Sequence, residues 1–160
     1  MSDINAVDLR GFISGAMNEV FDTMLSMDID LADEGVQPGV NGQRIVGTVG
    51  FAGKAVGSVS IQVNDAFARS ITAAMLGMEK DEIEGDEEVH DVIGELSNMI
   101  GGDLKSRLCD QGLTCDLSIP SITTGSDFKT ETKGWERHEC LIFRHQEQFA
   151  LVNVYIKTNG

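Results

Sequence analysis

The spacing of apolar residues predicts three helices along the chain. Apolar residues recur every three or four positions over Leu9–Leu25 and again over residues 86–111, with acidic side chains on the other side, which is typical of amphipathic helices. A shorter apolar stripe begins after Asn64, a residue that caps helix starts, and ends before Gly77, where a left-handed residue closes a helix. Gly112 is expected to close the long helix in the same way.

Alternating apolar and polar residues predict strands between these helices. The segments on either side of Gly53 and Lys54 alternate in this way, which predicts a glycine-rich hairpin over residues 43–63. Further extended segments are expected at residues 113–119, 140–144 and 149–157. The polar stretch 123–139 is assigned no structure, and Trp135 within it is interpreted as a local packing anchor.

The order of these elements indicates an internal duplication. A helix, an extended segment and a hairpin occur in residues 1–63 and again in residues 86–157, and the short helix links the two units. A chain of 160 residues has the usual length of one domain. We therefore predict a single α+β domain over residues 1–160, with duplicated helix-plus-three-strand units, a mixed sheet and a long helix pair packed on one face.

The chain is strongly acidic, with 26 aspartate and glutamate residues against 12 lysine and arginine residues and a formal net charge of −14. Nucleic acids and anionic membranes both attract basic surfaces, so this charge argues against both as partners. Residues 45–63 are apolar but contain too many glycines for a membrane-spanning helix. The acidic N-terminal residues lack the basic and apolar regions of a signal peptide, which predicts a cytoplasmic protein.

Several kinds of catalytic and metal site are excluded by spacing. Thr48 and Ala55 stand where a phosphate-binding loop needs a glycine and a hydroxyl residue, the histidines lack zinc-site spacing, and no Gly-x-Ser-x-Gly motif is present. The acidic run 79–91 lacks the alternating ligands of a calcium loop and is interpreted as a solvated connection. No metal site is predicted. The cysteines are predicted to be reduced and buried: Cys109, Cys115 and Cys140.

One face of the long helix carries polar residues at helical spacing: Asp91, Glu95, Asn98, Gly102 and Lys105. Steps of three and four place these residues together, opposite the apolar stripe, so a carboxylate and a carboxamide become neighbours. The same helix contains three interior glycines, at positions 94, 101 and 102, each costing about 1 kcal/mol relative to alanine. Two explanations stay open for these glycines: close packing against the first helix, or close approach of a partner to Glu95 and Asn98.

The polar face also matches a known signature. The pattern Asp91-x3-Glu95-x2-Asn98, with Pro120 following in the sequence Leu-Ser-Ile-Pro-Ser, resembles that of the CheC/CheX/FliY chemotaxis phosphatases and is most similar to the CheX members. Four further segments carry the resemblance along the chain: residues 16–25, 46–53, 74–77 and 94–102.

The resemblance implies a CheC-like fold and an enzyme that dephosphorylates the phospho-aspartate of a CheY-like receiver domain. Asn98 would position the attacking water and Glu95 would dock on a lysine of the receiver. The resemblance also implies one site per chain, because the first helix carries Glu19 and Asp22, with aspartate where a second site would need asparagine. The remaining residues of the polar face are expected to contact the receiver: Asp91, Gly102 and Lys105.

The resemblance has further consequences for cofactors and assembly. This chain is expected to bind no cofactor, and Mg²⁺ is expected on the partner receiver domain. A homodimer is implied by the resemblance to CheX. The strand predicted at residues 149–157 has no proline to protect it, so we interpret it as a sheet edge that a second copy could extend.

Two other functions stay open: a non-catalytic receiver-binding module related to flagellar switch proteins, and a structural subunit. An asparagine amide both donates and accepts hydrogen bonds, and phosphoryl transfer depends chiefly on placement and charge stabilisation. Asn98 therefore favours catalysis, because a protein that only binds a receiver has no need of this amide. The sequence leaves open which receiver is the substrate, which cellular output it controls and how the activity is regulated.

Overall fold

The computed structural model describes residues 4–32, 43–125 and 134–159. The helices are α1 (Leu9–Leu25), α2 (Asp65–Leu76) and α3 (Asp86–Asp110), and two 3₁₀ turns lie at Ile4–Ala6 and Lys80–Glu82. The strands are β1 (Asp30–Leu31), β2 (Arg44–Gly53), β3 (Ala55–Asn64), β4 (Cys115–Leu117), β5 (Ser121–Gly125), β6 (Arg137–His145) and β7 (Gln148–Thr158). All three predicted helices and the hairpin are confirmed.

The helix ends follow from local capping residues. The Asn64 side chain accepts a hydrogen bond from the Phe67 backbone N–H at 2.8 Å and starts α2. Gly77 ends that helix with a φ of 66°, and Gly112 follows α3 with a φ of 83°. Such positive φ values are unfavourable for residues with a Cβ, which explains why glycine stands at the C-terminal end of each of these two helices.

The strands form one sheet in the order β1-β6-β7-β3-β2-β4, and β5 also pairs with β2. The α+β class is confirmed, but the expectation of a mixed sheet is wrong for the strands that the structure describes, because all of these pairs are antiparallel. The physical reason is that each hairpin reverses the chain and the two hairpins meet through β3 and β7. The last three residues of strand β5 (Ser121–Gly125) lie in the stretch 123–139, to which the sequence pattern assigned no structure.

The sheet order supports the predicted duplication. Read from either end, the sheet has a single edge segment, a hairpin, a second hairpin and an edge segment. The edge strand of each unit pairs with the hairpin of the other: β1 follows α1 but pairs with β6, whereas β4 and β5 follow α3 but pair with β2. The two halves are therefore interlocked around the central β3–β7 pair.

Strand β7 lies inside the sheet, so the prediction that this strand forms an edge is wrong. It pairs with β3 on one side and with β6 on the other. Its alternate residues are all buried: Ala150, Val152, Val154 and Ile156. A strand hydrogen-bonded along both sides cannot accommodate proline, so its absence reflects a central position. Extension of β7 by a second copy therefore no longer supports the predicted dimer.

The helices cover one face of the sheet, and α3 packs against both α1 and α2, so the layer contains more than a helix pair. Helix α3 approaches the sheet closely at Gly47 of β2, where an added Cβ would collide with the Ser97 side chain. Glycine at this position lets α3 lie close to the sheet and fixes which helix face points outward. Within the described ranges, none of the helices is both long enough and apolar enough to cross a membrane.

Trp135 has the packing role expected of it. Its ring lies 6.4 Å from that of Tyr155 on β7, between ring centroids, and Lys157 Nζ lies 5.7 Å from the Trp135 ring centroid. These contacts hold the start of β6 against the uncovered face of the sheet.

The cysteines differ in exposure. Cys115 is buried, Cys109 is half-buried and Cys140 is exposed, so the prediction of burial is wrong for Cys140. Cys140 lies on β6 with its side chain toward the sheet face opposite the three described helices. Burial is the main reason that the pKa of the Cys115 thiol is raised, and the neighbouring Cys109 raises this pKa further. A raised pKa keeps the Cys115 thiol protonated and unreactive at neutral pH.

Candidate active site

The outward face of α3 holds the residues that the sequence pattern singled out. Asp91 and Glu95 are exposed, whereas Asn98, Gly102 and Lys105 are half-buried. The opposite face of α3 is buried in the core through residues that include Val92, Ile93, Leu96, Ile100 and Leu104. The fold thus presents Glu95 and Asn98 one helical turn apart on the surface.

A second segment, residues 117–120, begins at the last residue of β4 and lies beside this face as a wall. An added Cβ at Gly101 would lie 3.6 Å from Leu117 Cδ2, and one at Gly94 would lie 3.8 Å from Pro120 Cγ. The segment 117–120 therefore runs alongside α3 in the opposite direction. Asn98 lies on α3 between the two glycines that face the wall.

The wall is held to the sheet by Ser118. The Ser118 backbone N–H donates to the Gly50 carbonyl at 2.9 Å, and the Gly50 N–H donates to Ser118 Oγ at 2.8 Å. The Ser118 hydroxyl donates in turn to the Ile119 carbonyl at 3.1 Å. These bonds hold the backbone beside α3 in one position.

The interior glycines of α3 have different explanations. A Cβ at Gly101 would lie only 3.3 Å from Val49 Cγ1, whereas a Cβ at Gly102 would have Leu117 Cδ1 at 3.9 Å as its sole neighbour among the described residues. Gly101 is thus explained by packing, but against Val49 of β2 and Leu117 of β4 rather than against the first helix. Packing within the chain does not require a glycine at position 102.

The polar side chains of this face differ in their partners. Lys105 Nζ lies 3.8 Å from Oδ1 of Asp116, a carboxylate that is 94% exposed, so the pair is weak. In the part of the chain that the structure describes, the side chains of Asp91, Glu95 and Asn98 have no hydrogen bond or ion pair. The carboxylate of Glu95 and the amide of Asn98 are thus available to water or to a partner.

The described residues bring together no group of three histidine, cysteine, aspartate or glutamate side chains arranged to hold a metal ion. At the centre of the α3 face, Glu95 and Asn98 offer a carboxylate and an amide one helical turn apart. Together these groups accept hydrogen bonds, donate them and attract a cation.

Comparison with known proteins identifies the family. Residues 45–144 match the family model described as chemotaxis phosphatase CheX. A relative from Thermotoga maritima, the CheY-P phosphatase CheX, is 32% identical over 117 residues, which cover 72% of this chain and 74% of that protein. The chain belongs to the CheX family of chemotaxis phosphatases.

Solved structures share the fold of this CheX family member. CheX from Vibrio vulnificus has a TM-score of 0.78 and 24% identity, with 94% of this chain and 97% of that chain covered. A CheX–CheY–BeF₃–Mg²⁺ complex from Borrelia burgdorferi has a TM-score of 0.72 and 24% identity, with 94% and 99% covered. The resemblance inferred from Glu95, Asn98 and the surrounding segments is thereby confirmed at the level of the family.

Sequence reasoning missed one feature of this surface. Ile119 is 89% exposed, although it lies in a segment that was expected to be an ordinary strand. An apolar residue placed between serine and proline at a strand end is the signal that was available. That signal is weak, because the exposure of Ile119 depends on how the segment packs against α3.

Proposed function

We propose that this chain is a protein phosphatase that dephosphorylates a CheY-type receiver at its phospho-aspartate. Asn98 positions the water that attacks phosphorus in line, and Glu95 docks on the receiver. This proposal rests on the placement of Glu95 and Asn98 one turn apart on an outward helix face. Neither side chain has a hydrogen bond or ion pair among the described residues. The relative from Thermotoga maritima, a CheY-P phosphatase, supports the same substrate class.

The reaction requires little covalent chemistry from this chain. A phospho-aspartate is an acyl phosphate, so the carboxylate leaves without help from an acid when a water oxygen bonds to phosphorus. Phosphoryl transfer is accelerated mainly by placement of the nucleophile and by charge stabilisation. The Asn98 amide suits that task because its oxygen accepts a hydrogen bond from the water and its nitrogen donates one.

Glu95 supplies the docking contact. Its exposed carboxylate lies one turn before Asn98, so an ion pair with a receiver lysine sets the distance from the amide to the phosphoryl group. Asp91, Gly102 and Lys105 lie along the same face and complete the contact with the receiver. Mg²⁺ belongs to the receiver in this proposal, and this chain binds no cofactor.

A receiver-binding module without catalytic activity is the second candidate. The half-buried amide of Asn98 beside the wall disfavours it, because docking through Glu95 alone does not require an amide at this position. A structural subunit is the third candidate, and neither Glu95 nor Asn98 is needed for it.

The decisive experiment measures loss of the phosphoryl group from CheY-type receivers, with and without this chain. We expect catalytic acceleration for at least one receiver in the presence of Mg²⁺. A chain that binds a receiver loaded with beryllofluoride but leaves its dephosphorylation rate unchanged is a binding module. A chain that neither binds nor accelerates would contradict both candidates.

We also propose that the protein is a homodimer that acts in the cytoplasm, where receiver domains are phosphorylated. Similarity to CheX proteins supports the dimer, whereas the interior position of β7 excludes that strand as the site of pairing. Light scattering at micromolar concentration tests this assembly, and a monomeric mass would contradict it.

A further inference from the structure

Ile119 is the most exposed large apolar side chain in the described residues. It is 89% exposed, whereas the other large apolar side chains on the surface, Met24, Leu31 and Leu76, are 46–49% exposed. Single apolar residues on a surface are common and need no explanation by themselves. Ile119 differs because of how its backbone is held and where it stands.

The backbone around Ile119 is held rigidly. Ser118 exchanges two hydrogen bonds with Gly50 and donates a third to the Ile119 carbonyl. Pro120 follows, packs beside Gly94 and restricts the backbone on the other side. A segment whose backbone is already fixed loses little backbone conformational entropy when a partner covers its side chain.

Ile119 also stands beside the proposed site. Leu117 faces Gly101, Pro120 faces Gly94, and Asn98 lies on α3 between those glycines. Since each helical residue advances 1.5 Å, this stretch of helix is about 10 Å long, and along the helix axis Ile119 is within about one turn of the level of Asn98. The exposed Ile119 side chain and the Asn98 amide are therefore carried by neighbouring segments of the same surface.

The negative charge of this chain gives an apolar contact with the receiver a role in binding. The chain has a formal net charge of −14, and Asp91, Glu95 and Asp116 lie on or beside this face. A phosphorylated receiver brings further negative charge at its phosphoryl group, so long-range electrostatics do not favour the encounter. Burial of an apolar side chain adds affinity without regard to charge.

We propose that Ile119, supported by Pro120, is an apolar anchor that packs against the phosphorylated receiver when Glu95 and Asn98 reach its phosphoryl group. This inference rests on the proposed function and names a further contact of the same site. Ile119 adds to the affinity for the receiver that Glu95 provides, and Asn98 determines the rate of the chemical step.

The test uses Ile119→Ala and Ile119→Asp in the full chain. The substrate is the CheY-type receiver that the wild-type chain dephosphorylates fastest, and binding is measured on the same receiver with beryllofluoride and Mg²⁺. We expect Kd and KM to rise about ten-fold for Ile119→Ala and more for Ile119→Asp, with kcat within about two-fold of wild type. The rise for Ile119→Ala should persist at high salt, because the contact that it removes is apolar.

Leu31 provides the matched control. It is 47% exposed on β1, at the opposite edge of the sheet from β4 and β5. Leu31→Ala and Leu31→Asp should leave Kd, KM and kcat unchanged. Circular dichroism and thermal melts of all four variants confirm that they are folded.

Three outcomes overturn the inference while leaving the proposed function intact: unchanged Kd and KM in folded Ile119→Asp, a fall in kcat alone, or an altered oligomeric state with unchanged receiver affinity. The last of these would show that Ile119 contacts a second copy of this chain. If the wild-type chain accelerates no receiver and binds none, the proposed function fails and the inference fails with it.

Discussion

Helices α1 and α3 begin the two halves of the duplicated fold, and their outward faces differ in charge. Both present an acidic residue followed three positions later by a second polar residue: Glu95 and Asn98 on α3, Glu19 and Asp22 on α1. On α3 the second residue is a neutral amide, whereas on α1 it is an exposed carboxylate. The same helical spacing therefore supports two different kinds of surface.

The segments beside these two helices also differ, because the one beside α3 is apolar and the one beside α1 is acidic. The wall beside α3 contributes Pro120 and the exposed Ile119. Beside α1, Asp28 and Asp30 line a recess together with Glu19 and Asp22, so four carboxylates share one surface. Such a surface repels a phosphoryl group, which agrees with the expectation of one site per chain.

The largest expected effect comes from Asn98→Ala. Removing the amide should lower turnover by about 100-fold or more, which is the loss of roughly 3 kcal/mol of transition-state stabilisation expected for one well-placed polar group. Stability should be kept or slightly raised, because alanine is the better helix former. Binding to the receiver with beryllofluoride should largely survive.

The matched control for that variant is Asn18→Ala on the α1 face, which should leave turnover unchanged. Phospho-receiver decay in single-turnover assays measures both variants. A near wild-type rate for Asn98→Ala would show that the water is held by another group and would require a different mechanism.

The next effect concerns docking through Glu95. Glu95→Lys places like charge against the expected receiver lysine, so the Kd for the receiver should rise about ten-fold or more and turnover should fall with it. High salt should partly mask the difference in Kd, because the contact is exposed. Glu19→Lys, the equivalent change on α1, should have little effect, and equal losses in both variants would indicate a general charge effect.

A smaller effect is expected at the two adjacent glycines of α3. Gly102→Leu should raise the receiver Kd several-fold while the melting temperature changes little, because an added Cβ meets only Leu117 at 3.9 Å. Gly101→Leu should instead lower the free energy of unfolding by about 2 kcal/mol, because its Cβ would lie 3.3 Å from Val49. If Gly102→Leu unfolds the protein as readily as Gly101→Leu, packing explains both glycines.

The smallest effect is expected for Asp22→Asn, which restores the amide on α1. Turnover should stay within about two-fold of wild type, because Glu19, Asp28 and Asp30 still surround the new amide with negative charge. Adding Asp22→Asn to the Asn98→Ala variant makes the turnover assay more sensitive, because the low turnover of Asn98→Ala lets a small gain be detected. Recovered turnover in that double variant would show that the amide alone separates the two faces.

The features that the sequence predicted well depend on residues close together along the chain. Helix α2 begins where the Asn64 side chain caps the Phe67 N–H, and it ends where Gly77 adopts a positive φ. Glu95 and Asn98 share an exposed face because helical geometry alone places residues three apart side by side. The outward face of α3 was predictable for the same reason, since its apolar stripe leaves the other side to solvent.

The features that only the tertiary structure decided depend on residues far apart along the chain. The interior position of β7 follows from pairs such as Val59 with Val154, which no local pattern specifies. The exposure of Ile119 and the difference between Gly101 and Gly102 depend on how β4 and its following segment lie against α3 and β2. Local spacing determines which residues share a helix face, whereas long-range packing determines what stands beside that face and whether a partner can reach it.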